Sequence, residues 1–250
     1  MDLRALGVGV DLEVDDRALQ PLPLPGTGGQ RLVLGTWGTL HRLKGVDLIL
    51  EAMRRLEDHL RPELHVAGVE VDSQFKAEVV ERARGLAVSF HGAFGFGELA
   101  EHAVTRVHAA VHATRARETW GITVDEALVL RIPMVLPRIG TFVERIPERA
   151  GVVYYTSGDV AALANALRNL QEDADLLPEL RKSLPEARDV VQPVGEFVRR
   201  VVGVYEDVVA SGVRSVRDME DPPVFESTHE RRMAEWDRMC AAHLGSERSS

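Results

Sequence analysis

The amino-acid sequence predicts an α/β fold whose core is a parallel β-sheet covered by helices on both faces. Two observations lead to this class. From residue 31 onward, short apolar runs alternate with segments of helical periodicity, which is the pattern of repeated βαβ units. Glycine and polar residues cluster directly after the apolar runs, where a parallel sheet carries its ligand-binding loops.

Six apolar runs are predicted to be the strands of this sheet. They are Arg31–Gly35, Leu64–Ala67, Ala87–His91, Val107–Ala113, Ile132–Leu136 and Val152–Tyr155. Two helices have clear signals between them. Val46–Leu60 places its apolar residues on one face, and Val160–Leu170 follows Asp159, a suitable N-cap. With a further apolar-faced helix at 193–212, these elements predict one doubly wound, Rossmann-like domain over residues 31–212.

The two ends of the chain differ from this domain in composition. Residues 1–30 end in a stretch dense in proline and glycine and are predicted to be an N-terminal segment and linker. Residues 213–250 are predicted to be a linker followed by an amphipathic helix. That helix begins near a capping-box pattern, Ser227-x-x-Glu230, and spaces Met233, Trp236, Cys240 and Leu244 helically. We expect it to dock on its own domain or on a partner.

Composition and charge exclude several classes of protein. The 250 residues are 45% hydrophobic, yet no apolar run approaches the roughly 18 residues of a transmembrane helix. The first nine residues lack the apolar region of an export signal, so we expect a cytoplasmic protein. A formal charge of −9 argues against nucleic-acid binding, which requires a basic surface.

Motifs for metal binding and for nucleophilic hydrolysis are missing from the sequence. The single cysteine, Cys240, excludes a disulfide framework and a multi-cysteine zinc site. His91, His108 and His112 lie in or beside predicted strands without a helical His-x-x-x-His pair or an acid triad, so we predict no metal site. The nucleophile motif Gly-x-Ser-x-Gly is missing too, which gives no support to a serine hydrolase.

Four glycine-rich and polar segments are predicted to converge on the carboxyl-end rim of the sheet. They are residues 35–45, 91–97, 114–121 and 137–141. In the first segment, Arg42, Lys44 and Gly45 precede a helix, whose N-terminus and cations favour an anion. The alternative is that Arg42 and Lys44 are solvated loop charges.

Glu118 and Glu126 form the second candidate feature of this rim. Glu118 falls in the loop after the fourth strand and Glu126 in the first turns of the next helix, so both can face one cleft. Carboxylates accept several hydrogen bonds and suit a ligand rich in sugar hydroxyls. The alternative for Glu126 is structural, because Thr123-x-x-Glu126 has the spacing of a capping box.

These motifs, in this order, resemble the carboxy-terminal, nucleotide-sugar-binding half of the family-4 retaining glycosyltransferases, which have the GT-B fold. The resemblance spans about residues 31–172, and Gly9-Val10-Asp11 faintly matches the segment that enters this half. The matching pieces are Gly38-x5-Lys44-Gly45-Val46-Asp47, Leu64-His-Val-Ala-Gly68, Phe90-His91-Gly92, Glu118-Thr-Trp-Gly121-x4-Glu126-Ala127, Pro133-Met-Val135, Gly140-x3-Glu144 and Gly151-Val152-Val153.

The resemblance implies a role for each matching position. Lys44 would contact the diphosphate of a nucleotide-diphosphate sugar, and Glu118, with the amides of Trp120 and Gly121, would hold the sugar hydroxyls. Glu126 would hold the ribose, and residues 91–94 would pass near the base. Lys44 and Glu118 are thereby the catalytic candidates. The implied donor-binding set is Gly38, Thr39, Arg42, Lys44, His91, Gly92, Phe94, Glu118, Thr119, Trp120, Gly121 and Glu126. The resemblance implies no metal or other cofactor, and transfer with retention.

The sequence departs from the family pattern in two respects. The position directly after Gly38 is Thr39 where the family has arginine, and we expect Arg42 to compensate. About 30 residues precede the first predicted strand, so we expect the family's acceptor-binding amino-terminal half to be missing. The chain would then be a partner in a split enzyme, a truncated gene product or excised domain, or a domain repurposed for binding. An exposed cleft face favours association, with a partner chain that carries an acceptor domain or in a homo-oligomer.

Three functions therefore remain open from the sequence. The first is a retaining glycosyltransferase, or its donor-binding half, that acts with an acceptor-binding partner. The second is a non-catalytic module that keeps the fold for nucleotide-sugar or protein binding, which Thr39 and the missing half favour. The third is an epimerase-like relative that binds a nucleotide sugar at the same rim. The sequence does not identify the sugar, the nucleotide base or the acceptor.

Overall fold

The structure is a computed structural model, and it describes residues 8–12, 14, 21–25, 31–95, 97–116 and 118–210. The chain divides into two compact units, residues 1–200 and 201–250. Of the second unit, only residues 201–210 are described, and they are helical. The predicted tail helix lies outside the described residues. The predicted domain limits at 30 and 212 border residues that are likewise outside them, so these limits stay predictions.

The core is one six-stranded sheet in the order β3-β2-β1-β4-β5-β6, and all five strand pairs are parallel. The predicted α/β class and parallel sheet are thereby confirmed. The strands are β1 Val33–Trp37, β2 Glu63–Ala67, β3 Val88–Phe90, β4 Ala109–Val111, β5 Met134–Pro137 and β6 Val152–Tyr155. Each contains a core of one predicted apolar run, and β6 matches its predicted bounds.

The error in the predicted strands that affects the ligand-binding rim concerns β1. The prediction ended this strand at Gly35 and placed Thr36 and Trp37 in a loop. In the structure the pairing with β2 continues to Trp37, which lies opposite Ala67. Both Thr36 and Trp37 are buried, so pairing and burial extend the strand past the glycine. This correction brings Trp37 to the end of the strand, beside the ligand-binding rim.

Eight α-helices connect or follow the strands in the described residues. They are α1 Val46–Arg54, α2 Ser73–Ala83, α3 Ile122–Val129, α4 Gly140–Arg145, α5 Val160–Glu172, α6 Leu176–Ser183, α7 Ala187–Val190 and α8 Val194–Ala210. The predicted helix Val46–Leu60 is too long. The chain leaves α1 after Arg54 and forms a short 3-10 turn at Asp58–Leu60 before β2. Leu56 and Leu60 remain buried, so the apolar spacing marked core positions beyond the end of the helix.

Two hydrophobic cores cover the two faces of the sheet, which makes the fold doubly wound as predicted. One core packs α1, α2 and α5 against the sheet and contains Leu34, Ile49 and Leu163. The other packs α3 and α4 against the opposite face and contains Leu128 and Phe142. None of the helices in the described residues is long and apolar enough to cross a membrane.

The strand order places a crevice between β1 and β4. From β1 the chain continues outward to β2 and β3 on one side, and from β4 it continues to β5 and β6 on the other. The loops that follow β1 and β4 therefore diverge at the carboxyl end of the sheet. Such switch points are the places where open α/β sheets bind ligands.

Candidate functional site

A cavity of about 400 Å³ opens at this switch point. Its walls come from the segment after β1, the loop after β4 and the first turn of α3. The volume lies within the range of roughly 300–1,000 Å³ typical of small-molecule sites. Nine of the predicted site residues line it. They are Gly38, Thr39, Lys44, Phe94, Glu118, Thr119, Trp120, Gly121 and Glu126.

Lys44 and Glu118 meet directly in the pocket. The Nζ atom of Lys44 donates a 2.6 Å hydrogen bond to Oε1 of Glu118, and Thr114 Oγ1 lies 3.0 Å from the same oxygen. Lys44 is the one lysine or arginine among the described residues that line the pocket. The predicted cation and the predicted sugar-binding acid thus stand at one point, where an anionic ligand group would compete with Glu118 for Lys44.

The backbone around Lys44 is fixed by Gly45. Lys44 ends a 3-10 turn, Arg42–Lys44, and Gly45 then has φ +72° before α1 begins. A Cβ atom at Gly45 would lie 1.9 Å from the carbonyl oxygen of Ala113. Only glycine permits both this left-handed conformation and this close approach to the loop after β4.

A buried ion pair joins the Lys44 turn to the loop after β4. The guanidinium of Arg115 donates to both carboxylate oxygens of Asp47, at 2.9 and 2.7 Å, and to the carbonyl of Arg42 at 2.7 Å. The backbone N–H of Arg115 donates to the carbonyl of Leu43. The Asp47 side chain is only 6% exposed. This pair holds the turn that presents Lys44 against the loop that presents Glu118.

Glu126 occupies a second, more buried position in the pocket. Its Oε2 atom accepts a 2.8 Å hydrogen bond from Nε1 of Trp37. Burial raises the pKa of Glu126, and the charge of Asp125 raises it further, while the bond from Trp37 lowers it. The carboxylate is therefore a desolvated acceptor held by one donor at the end of β1.

The capping-box interpretation of Glu126 is wrong. Helix α3 begins at Ile122 with Gly121 as N-cap, at φ +83°, and no side chain caps it. Thr123 consequently lies inside the helix, two positions after the N-cap. Glu126 lies about one turn beyond Ile122 and lines the pocket, where it bonds to Trp37.

The turn before α3 is held by a network around Trp120. Nε1 of Trp120 donates to Oδ2 of Asp125 at 2.6 Å, and the guanidinium of Arg145 lies 3.8 Å over the indole ring. Arg145 also donates to the carbonyl of Trp120 and forms an ion pair with Asp125. Burial raises the pKa of Asp125, and Arg145 opposes that rise. The network fixes the backbone of Trp120 and Gly121, whose amides are the predicted sugar contacts.

Three predicted site residues lie outside the pocket lining. Arg42 forms a 2.7 Å ion pair with Glu78 and lies over the ring of Phe75, and its compensation for Thr39 stays a prediction. His91 stacks on His65 of β2, with ring centroids 4.9 Å apart, because it extends β3 beside that strand. The carbonyl of Gly92 accepts from the amide of Gly68.

The predicted convergence of four segments is only partly observed. The segments 35–45 and 114–121 supply about half of the lining residues, whereas the segment 91–97 contributes Phe94 alone among its described residues. The segment 137–141 does not line the pocket, but Phe142 in the following helix does. Strand β5 is followed directly by α4, which directs this segment beside the pocket rather than into it.

Sequence reasoning missed three side chains of this site. Trp37 was assigned to a loop, Thr114 was not singled out, and His112 was considered only for metal binding. All three line the pocket. His112 is buried, and burial together with the charge of Lys44 lowers its pKa to about 4, although Glu118 opposes this. The sequence signal that could have identified these residues as part of the site is their position at or just after the ends of β1 and β4.

The structure therefore combines a doubly wound parallel sheet with a pocket at its switch point that contains a lysine and two glutamates. The sequence model of the glycosyl transferases group 1 family matches residues 31–173. The chain belongs to this family. A comparison with curated proteins gives no match.

Solved glycosyltransferase structures share the fold. HepE from Anabaena, in complex with UDP and glucose, has a TM-score of 0.60 and 17% identity over 72% of this chain and 50% of its own. Sucrose-phosphate synthase from Thermosynechococcus elongatus has a TM-score of 0.62 and 19% identity over 83% and 51%. A glycosyltransferase from Rickettsia africae has a TM-score of 0.59 and 15% identity over 80% and 56%. The chain thus spans about half the length of these structures.

Proposed function

We propose that the chain is the donor-binding half of a retaining glycosyltransferase. It binds a nucleotide-diphosphate sugar in the pocket at the β1–β4 switch point and takes part in transferring the sugar to an acceptor, without a metal or other cofactor. The acceptor is held by an acceptor-binding domain of the amino-terminal type. The HepE structures, solved with UDP, glucose or UDP-glucose, support this donor class.

The observation that carries the proposal is the pairing of each candidate acid with a donor inside one cavity. Glu118 is bonded to Lys44, and Glu126 is bonded to Trp37. A bound diphosphate would draw Lys44 from Glu118 and leave that carboxylate to accept sugar hydroxyls. Glu126, deeper in the pocket, would accept the ribose hydroxyls.

The same arrangement suits the chemistry of sugar transfer. When the bond between the sugar and the diphosphate breaks, negative charge grows on the leaving phosphate. Lys44 and the N-terminus of α1 directly after it would stabilise that charge, and Glu118 would orient the sugar. The spacing Glu118-x7-Glu126, which the retaining family shares, supports retention of configuration at the transferred carbon.

Calorimetric titration tests the proposal. The full chain is titrated with UDP-glucose, GDP-mannose and ADP-glucose, and binding of at least one is expected. Glu126→Ala and Lys44→Ala should each weaken that binding at least about tenfold, which corresponds to one lost charge-assisted hydrogen bond. Glu81→Gln removes a surface ion pair with Arg84 and is the matched control. Absence of binding to all three, or Glu126→Ala binding like the unaltered chain, would overturn the proposal.

One observation favours a second candidate, a nucleotide-sugar-binding module without catalysis. Thr39 replaces the family arginine, and Arg42 is paired with Glu78 outside the pocket. Lys44 would then face the diphosphate as the one lysine or arginine of the described lining. This candidate predicts binding of the nucleotide sugar with no release of nucleoside diphosphate, even with an acceptor-binding partner present.

A further inference from the structure

His112 lines the pocket and directly follows the end of β4. Its ring packs edge to face against that of Trp37, at the end of the neighbouring strand β1, with ring centroids 5.4 Å apart. Its carbonyl accepts a 3.1 Å hydrogen bond from the hydroxyl of Tyr155. The two rings flank the switch point, and His112 is held there through both its ring and its backbone.

The Nε2 atom of His112 has no hydrogen-bond partner among the described residues. The residue is 8% exposed, and this atom is the one buried side-chain nitrogen or oxygen in the described part of the chain for which no partner is found. An unpaired buried polar atom is rare in native proteins and calls for an explanation. His112 lines the pocket, and a ligand bound there would supply the missing partner.

His108, four residues earlier, shows that this fold can satisfy a buried histidine. It is 1% exposed, and its Nδ1 accepts from the amide of Val33 at 2.8 Å. Its Nε2 lies 2.7 Å from the carbonyl of Pro23. His108 does not line the pocket. The contrast separates a structural histidine, with both nitrogens paired, from one that keeps a nitrogen unpaired at the pocket.

The charge state of His112 restricts the ligand group that it can serve. Burial and the nearby charge of Lys44 keep the ring neutral at pH 7. A neutral imidazole has one donor and one acceptor nitrogen and therefore suits a hydroxyl, which also donates and accepts. Phosphate oxygens only accept and are better served by Lys44.

We propose that His112 hydrogen-bonds a hydroxyl of the donor sugar through Nε2, beside the sugar contacts assigned to Glu118. This inference rests on the proposed function. The resulting neutral hydrogen bond would discriminate nucleotide sugars from free nucleoside diphosphates, because only nucleotide sugars carry the hydroxyls of the donor sugar.

The test compares each of UDP-glucose, GDP-mannose and ADP-glucose with its nucleoside diphosphate by calorimetry. For the sugar that binds, His112→Phe should weaken binding roughly fivefold or more, the factor for one neutral hydrogen bond. Binding of the matching diphosphate should change less than about threefold. His112→Gln, which keeps an amide near the Nε2 position, should recover part of the loss.

His108→Phe is the matched control. It should lower the melting temperature because it leaves the Val33 amide and the Pro23 carbonyl without their partner, yet leave nucleotide-sugar affinity unchanged. His112→Phe should not lower the melting temperature, which distinguishes lost binding from lost folding. If the unaltered chain binds a nucleotide sugar and His112→Phe binds it equally, the inference fails and the proposed function stands. Equal weakening of sugar and diphosphate would also overturn it. If the unaltered chain binds no nucleotide sugar, both fail.

Discussion

The indole Nε1 of Trp37 donates a 2.8 Å hydrogen bond to the partly buried carboxylate of Glu126, 89 residues further along the chain. The bond spans the switch point from the end of β1 to the first turns of α3. It fixes one carboxylate oxygen of Glu126 and leaves the remaining acceptor positions for a ligand. The geometry of the deeper half of the pocket therefore depends on a strand residue.

Replacing Trp37 with phenylalanine should test this dependence. Trp37→Phe removes the donor from the partly buried carboxylate of Glu126, so the pKa of Glu126 should rise further. We expect a loss of roughly 2–3 kcal/mol of unfolding free energy at pH 7, measured by urea denaturation, because a buried acceptor loses its partner and ring volume is lost. The double variant Trp37→Phe/Glu126→Gln should lose less than the sum of the two single changes.

The pH dependence of stability should reveal the cost of ionising Glu126. Its pKa is raised in the folded protein, so the folded state holds its proton more tightly than the unfolded state does. This group's contribution to stability should then fall as the pH rises from about 4.5 through the folded pKa, and level off above it. Glu126→Gln removes this pH-dependent contribution. The unfolding free energy of the variant minus that of the unaltered chain should therefore increase over this window. A constant difference from pH 4 to pH 8 would contradict the assignment.

The Arg115–Asp47 pair should control the position of Lys44 without contacting a ligand. Asp47→Asn leaves the guanidinium of Arg115 without its bidentate partner and should cost roughly 3 kcal/mol of stability, the lower end for a buried pair because Arg115 is 25% exposed. Nucleotide-sugar affinity, measured by calorimetry on the folded fraction, should also fall. Arg168→Lys alters the surface pair with Glu57 and provides the control. Unchanged affinity in Asp47→Asn would show that Lys44 does not need this pair.

The sequence predicted the sheet well because strands buried on both faces are marked by continuous apolar runs. Val152–Tyr155 was assigned without error, and every other predicted run overlaps one strand. Boundaries failed where tertiary contacts decide them. Thr36 and Trp37 extend β1 because β2 offers pairing partners, and no local pattern shows this. The helix Ser73–Ala83 was not singled out, because its buried residues, Phe75, Val79 and Ala83, give only a weak apolar stripe.

The candidate site was predictable to the extent that it follows from motif order. Lys44, Glu118 and Glu126 were placed at one cleft, and all three line the same pocket. Partners across the sheet were not predictable, because they depend on side-chain direction. The pairing of Arg42 with Glu78 joins residues 36 positions apart, and that of Trp37 with Glu126 joins residues 89 apart. Neither leaves a spacing signal in one sequence.

Two glycines in similar conformations should respond differently to substitution by alanine. Gly45 and Gly85 have φ +72° and +77°, so both changes place alanine in the left-handed region. That strain costs roughly 1–2 kcal/mol. A Cβ at Gly45 would also lie 1.9 Å from the Ala113 carbonyl, whereas a Cβ at Gly85 meets nothing within 4 Å. Gly45→Ala should therefore destabilise the protein clearly more than Gly85→Ala in urea denaturation, and only Gly45→Ala should weaken nucleotide-sugar binding. Equal losses would show that the loop after β4 yields to the added methyl group.

Acid sensitivity should depend on His112. The pKa of His112 is about 4 in the folded chain, against 6.5 for a free histidine. Between these pH values the unfolded chain holds a proton on His112 that the folded chain does not. Stability should then rise with pH between about 4 and 6.5, and a shift of this size corresponds to roughly 3 kcal/mol. His112→Phe abolishes this contribution. The stability of the variant relative to the unaltered chain should therefore be greater at pH 4.5 than at pH 7.5. His108, whose pKa burial also lowers, is retained in both proteins and cancels from the comparison. Urea denaturation across this range measures the difference in unfolding free energy between the two proteins. A difference that does not change with pH would show that the fold does not lower the pKa of His112.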